Sequence, residues 1–402
     1  MRVMISRREV LAGAAALWFP ANGVAARDNS SLLIISAAEG KRMRDAFHRS
    51  PSTGLDQLTE KALHSGPWSV TFDRPSPAST KAGPNDYFSE GPYWWPNPQD
   101  PNGPYIRKDG VRNGGRFTKN EVALKEMSQA VLALGIGDYF LGNPACAAHA
   151  NNILATWFVD PKTRMNPNLE YGQAIRGVTT GRGTGIIDTV SLIYCAQGTA
   201  LLECSGALDK TIWAGVQQWF AAYLHWMTSS PKGQDEKMSG NNHATWWTAQ
   251  AAAYAVLTGD LATQRKAWGH YREYLVPTEI RPDGSCPREE ARTKSLGYSS
   301  MNLDAFAVIC RLAQVTGVDL WHYKAPNGVG VEKAFNYLMP YVLHPNEWRK
   351  QQIEPYSGSS TVFPALAALG LPSPELHTAY KQIPHAQSPW VQFVDLIINI
   401  SA

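Results

Sequence analysis

From about Thr118 onward, apolar residues recur every three or four positions, the spacing that lines one face of a helix. The pattern predicts helices over Lys119–Phe140, Ala145–Phe158, Ile187–Glu203, Lys210–Met227, His243–Leu257, Leu261–Val276, Met301–Val315 and Val331–Leu343. Gly142-Asn143-Pro144, Ser205-Gly206 and Thr258-Gly259-Asp260 punctuate them, residues that stop helices and start turns. No comparable series of alternating strands appears, so the chain reads as all-α. A fixed-period repeat of the solenoid kind is absent. Ile187–Glu203 and His243–Leu257 are apolar around most of their circumference, which suits the inner ring of a two-layer (α/α) toroid better than an open bundle.

Two stretches break this rhythm. At the N-terminus, Arg7-Arg8 precedes an apolar run from Ala12 to Phe19 and the small residues Val24-Ala25-Ala26. Charged head, short apolar middle and small-residue end describe a twin-arginine export signal over residues 1–26, too short for a permanent membrane anchor. The expected location is the periplasm or the exterior, with a single helical domain over 27–402. The second break, Phe72–Arg116, is rich in Pro, Gly, Asn and aromatics. Tyr87-Phe88 and Pro92-Tyr93-Trp94-Trp95-Pro96 are too apolar to be left free in water. The stretch reads as an ordered wall over a substrate cleft; a plug closing one end of the domain is the plainer alternative.

Charge narrows the partners. The formal net charge is +3, and removing the signal deletes three arginines and one glutamate, leaving +1. There is no long basic run and no global field for nucleic acid, and no later segment is long and apolar enough to span a membrane. The oligomeric state is not legible. Five cysteines, none in a CxxC pair, point to buried free thiols rather than a disulfide framework or a zinc ribbon. Neither HExxH nor an EF-hand loop nor GxSxG is present, so no metal and no cofactor is implied.

Three segments carry candidate chemistry. Asn241-Asn242-His243 follows Gly240 and a polar linker, Ser229–Ser239, and opens an apolar helix ending the motif at Trp246. Asparagine caps helices, and helix N-termini attract anions, so the placement suits a carboxylate; a cap beside a packed histidine is the bland reading. Asp283-Gly284-Ser285 then begins a charged connector bearing Arg292 and leading through Tyr298 into the next helix. There, Arg292 pairing with Glu289 on the surface and Tyr298 as a helix staple are the alternatives. Third, Arg176-Gly177-Val178-Thr179-Thr180-Gly181-Arg182-Gly183-Thr184-Gly185 superficially matches a phosphate loop. It lacks a predicted preceding strand and a GKS or GKT ending, and Arg176 and Arg182 would serve an acidic sugar equally well.

Together these segments resemble the alginate lyase superfamily with helical-toroid folds. The resemblance rests on Asn242, His243 and Trp246, then Asp283-Gly284-Ser285, Arg292 and Tyr298. The aromatic stretch from Asp86 to Pro98 is similar to that of polysaccharide lyase family thirty-eight, whose members are associated with alginate or β-1,4-glucuronan. Cys286 departs from the bulkier residue often found there. The resemblance implies an incomplete barrel of about six to seven helical hairpins and cleavage by β-elimination. Such chemistry must stabilise a carboxylate dianion, remove the C5 proton and protonate the departing O4. Asn242 and Arg292 are expected to stabilise the carboxylate, with His243 as neutraliser or alternative base and Tyr298 as acid and base. Asn241, Trp246, Tyr93, Trp94, Trp95, Arg182 and Arg176 are the expected substrate contacts. Two other readings stay open: a glycoside hydrolase drawing on Asp188, Asp283, Glu289 or Glu290, and an exported glycan-binding protein without turnover.

Overall fold

A computed structural model describes residues 31–49, 53–71, 81–371 and 373–401. The expected export signal and residues 72–80 of the aromatic stretch lie outside them. Within them the architecture is the predicted (α/α) toroid, with an inner layer of almost wholly buried helices. Asn242–Thr258 buries every residue except His243. It packs against Ser295–Val315 on one side and Lys210–Ser229 on another. Lys210–Ser229 is an outer helix and buries only a stripe, Val216, Trp219, Phe220, Tyr223, Leu224 and Met227, at the expected helical spacing. No single described helix is long and apolar enough to cross a membrane.

The predicted helices are present, with shifted ends. Ala145–Phe158 becomes Pro144–Leu154 followed by a π-helical turn, Ala155–Val159. Leu261–Val276 likewise widens at Tyr271–Leu275, just before Pro277 removes an N–H from the regular ladder. Ile187–Glu203 divides into a 3-10 segment, Gly183–Thr189, and the helix Leu192–Cys204. The helix expected from Met301 starts at Ser295, which puts Tyr298 in its first turn. Pro231–Lys237, read as linker, is a helix with Pro at its first position and the Ser230 hydroxyl accepting from Gly233 N at 3.0 Å.

The aromatic stretch contains short strands instead of being irregular throughout. Phe88–Glu90 runs parallel to Tyr171–Ala174, while Trp94–Trp95 pairs antiparallel with Ile106–Arg107. None of the five cysteines forms a disulfide among the described residues; Cys204 is exposed and the others are buried.

Candidate active site

Asn241 caps the helix Asn242–Thr258, its Oδ1 accepting from His243 N at 3.1 Å, and the cap turns His243 toward a cleft of about 500 Å³. The helix Pro231–Lys237 brings Glu236 beneath the imidazole. Glu236 is buried, with Oε1 2.6 Å from His243 Nδ1. A carboxylate only accepts, so the Nδ1 hydrogen points to Glu236 and Nε2 is the ring nitrogen left to the cleft.

Arg292 emerges from the connector after the short helix Pro287–Glu290. Its partner is Asp109, in the aromatic stretch: Nε and Nη2 donate to the carboxylate at 3.2 and 2.9 Å. Burial opposes the charge on Asp109, but hydrogen bonds from Arg292 and Thr293 outweigh it and hold the carboxyl at about 2. The guanidinium carbon also sits 3.9 Å from the centre of the Tyr298 ring. Tyr298 Oη lies 2.6 Å from Tyr93 Oη. Burial raises the Tyr298 pKa, the Tyr93 hydrogen bond adds to the rise, and the Arg292 charge opposes it without prevailing. Burial therefore holds the phenol in its protonated form.

Asn242 is placed differently from the expectation. It is buried, and its backbone N and Nδ2 both donate to Glu289, at 2.6 and 2.7 Å. Glu289 thus takes the backbone hydrogen and one of the two Nδ2 hydrogens of Asn242, and it is not the surface partner of Arg292. At the same helix end the half-buried Asn241 also lines the cleft, and its Nδ2 has no hydrogen bond among the described residues.

Opposite, Arg182 and Trp94 line the cleft together, the guanidinium 6.0 Å from the indole centre. Arg182 donates to the Gln173 carbonyl and side chain at 3.2 and 2.7 Å and has no carboxylate partner among the described residues. Behind it, Asp188 accepts from Ser89, Gln173 and Tyr87, and burial pushes its carboxyl up to about 6. Of the carboxylates in the lining, Glu121 pairs with Arg116, Glu236 with His243, and Asp188 with this network.

Tyr93, Trp94, Asn241, Asn242, His243, Arg182, Arg292 and Tyr298 all fall in one lining. Trp246 lies in an adjoining lobe of about 540 Å³, largely buried. Arg176 is exposed and lies outside both linings, its carbonyl accepting from Tyr105 N. Trp95 also lies outside, its Nε1 donating to the Val111 carbonyl and its ring under Lys108. A strand, Tyr171–Ala174, does precede the glycine-rich segment. Its glycines serve close packing: a Cβ on Gly185 would sit 2.6 Å from the Gly172 carbonyl carbon. The sequence missed Glu236, Asp109 and the cleft cations Arg107, Arg112 and Lys125. Among the described residues no cluster of three or more His, Cys, Asp or Glu is arranged to hold a metal ion.

A family model described as alginate lyase matches residues 72–348. This chain belongs to the alginate lyase family. Among solved structures, an alginate lyase from Bacteroides ovatus is 31% identical, over 90% of this chain and 97% of that one, with a TM-score of 0.81. A histidine-to-alanine variant of alginate lyase A1-III complexed with tetrasaccharide is 18% identical over 89% and 92%, with a TM-score of 0.60. Alginate lyase A1-III from Sphingomonas species A1 is 20% identical over 82% of each chain, with a TM-score of 0.52. At these identities the last two show the fold. A search of curated protein sequences returns no match. As a member of this family the chain is a polysaccharide lyase, and its substrate is an acidic polysaccharide.

Proposed function

We propose that this lyase cleaves a β-1,4-linked mannuronate or glucuronate polymer, mannuronate blocks of alginate or glucuronan, by β-elimination at Tyr298. The observation that carries the proposal is the juxtaposition of a protonated Tyr298 hydroxyl, the Arg292 guanidinium against its ring, and His243 in one lining. The resemblance of the aromatic stretch to family thirty-eight supports this substrate class. The twin-arginine signal supports export, which would put the enzyme where such polymers occur.

The C5 hydrogen is only weakly acidic because its loss loads charge onto an existing carboxylate. Donors fixed in advance around that carboxylate lower the barrier most. Arg292 Nη1, Asn241 Nδ2 and the N-terminal end of the His243 helix supply them in this reading. Electrons from the C5–H bond form the C4–C5 double bond as the C4–O4 bond breaks, and O4 takes a proton. In mannuronate and glucuronate the C5 hydrogen and O4 leave from the same face, so one phenol serves both. Tyr298 first passes its proton through the Tyr93 hydroxyl to solvent; the phenolate then takes the C5 hydrogen and delivers it to O4, which restores the phenolate. In guluronate the two groups lie on opposite faces, and His243 Nε2 takes the hydrogen while Tyr298 protonates O4.

The test is near-ultraviolet absorbance of the unsaturated product on polymannuronate, glucuronan and polyguluronate. Tyr298→Phe should lose about 10²–10⁴ in kcat on the first two, with an unchanged circular dichroism spectrum. Near-normal turnover in that variant sinks the assignment.

A further inference from the structure

The cleft has two lobes that share Tyr93, Arg112, Val190, Tyr194, Tyr298 and Met301, so Tyr298 stands at their junction. Their electrostatics differ. The first lobe holds His243 and Arg292 and three cations, Arg112, Lys125 and Arg182, without a carboxylate partner among the described residues. The second has one cation of its own, Lys294, and Glu354 neutralises it at 2.5 Å. Its other acid is Asp304, whose Oδ1 accepts from Val362 N and Phe363 N at 2.8 Å each and whose carboxyl burial pushes up to about 7. Hydroxyls make up most of the remaining polar surface. Ser300 and Thr361 bond the Tyr356 hydroxyl at 2.7 and 3.1 Å, and Ser357, Ser359 and Ser360 follow around the rim.

A carboxylate entering the second lobe would meet the charge of Glu354 and, among the described residues, no unpaired cation except the shared, exposed Arg112. Leaving a charge unpaired there is costly, while hydroxyl groups of a sugar would find matching donors and acceptors. Resting on the elimination reading, the lobes acquire a direction. The uronate that loses its C5 hydrogen lies with Arg292 and His243 in the first lobe. The sugar leaving on O4 therefore lies across Tyr298, in the second.

We infer that the second lobe is a subsite for an uncharged hexose, and that the enzyme accepts chains in which a neutral sugar precedes the uronate that is cleaved. The uronate requirement is confined to the first lobe. Glu354 enforces this division by occupying Lys294, so it is a specificity residue that takes no part in proton transfer.

Three β-1,4-linked trisaccharides test the inference: all uronate; hexose in place of the uronate at the non-reducing end; and hexose in the middle. Absorbance gives kcat/KM, and product mass identifies the broken bond. The first bond of the hexose-ended trisaccharide should be cut with kcat/KM within tenfold of the all-uronate one, and the middle-hexose compound should not be cut there. A carboxylate held by charged hydrogen bonds is worth about tenfold or more, so a larger loss on the hexose-ended compound overturns the inference. No cleavage of the all-uronate trisaccharide or of polymeric uronate would instead remove the elimination reading itself. Glu354→Gln frees Lys294 and should raise kcat/KM severalfold on the all-uronate trisaccharide relative to the hexose-ended one. An equal effect on both would also overturn it.

Discussion

At the scale of single residues, the chemistry depends on what holds each functional group rather than on its identity. His243 presents Nε2 because Glu236 takes the Nδ1 hydrogen at 2.6 Å from below. Glu236→Ala should therefore lower kcat by about 10²-fold through misplacement of the ring, with KM little changed. Glu236→Gln keeps an acceptor and should retain most activity. Equal losses in both variants, or a loss confined to KM, would show that Glu236 does not position the histidine. His243 and Tyr298 were legible because polar groups are conspicuous between two apolar helices. Glu236 was not, since a glutamate in a polar run between helices reads as a solvated surface. Arg292 was legible as a candidate but not its anchor: Asp109 is 183 positions away, and only chain closure selects it over the nearby Glu289.

At the scale of elements, the two helices carrying His243 and Tyr298 are tied through one buried carboxyl. Glu279 Oε2 accepts from Thr245 Oγ1 at 2.8 Å and from Asn302 Nδ2 at 3.0 Å, one from each helix. Burial pushes Glu279 up to about 8, against the two hydrogen bonds that favour its charge. A raised pKa means that the folded state holds the proton more tightly. This contribution to stability is complete below about 4.5, the ordinary value, and is lost as pH climbs through about 8. Glu279→Gln cannot ionise, so the fall in Tm between pH 5 and pH 9 should shrink in that variant; an unchanged fall would show that Glu279 does not titrate across the range. A second constraint joins Lys119–Leu141 to Leu192–Cys204, where a Cβ on Gly198 would lie 2.3 Å from the Val131 carbonyl oxygen. Gly198→Ala should cost about 1–3 kcal/mol of stability in denaturant titration, and a neutral result would mean that the helices part easily.

For the whole molecule, the formal net charge of +3 is too small to steer a polyanion, so attraction must come from Arg112, Lys125 and Arg182 clustered in one lobe. Exposed charges are screened over about 8 Å at physiological salt. KM for a polyuronate should then rise several-fold as salt increases from about 0.05 to about 0.5 M, with kcat nearly constant. A salt-insensitive KM would mean that these cations do not contact the polymer. The wall formed by Pro92, Tyr93, Trp94, Arg107 and Arg112 completes this lobe, and Asp109 and Tyr93 tie it to the helical body through Arg292 and Tyr298.

The sequence by itself determined most of the helices, the inner placement of Ile187–Glu203 and His243–Leu257, and which polar residues interrupt the apolar pattern. Those are local properties, since helical periodicity and capping act over a few residues, as with Asn241 and His243. The tertiary structure alone decided the pairings. It gave Arg292 to Asp109, tied Asn242 to Glu289, left Arg176 and Trp95 outside the cleft, and set Tyr93 against Tyr298 across 205 positions. It also divided the charges into a cationic lobe and a neutralised one. Pairing and desolvation depend on which distant segments close on one another, and that information has no period along the chain.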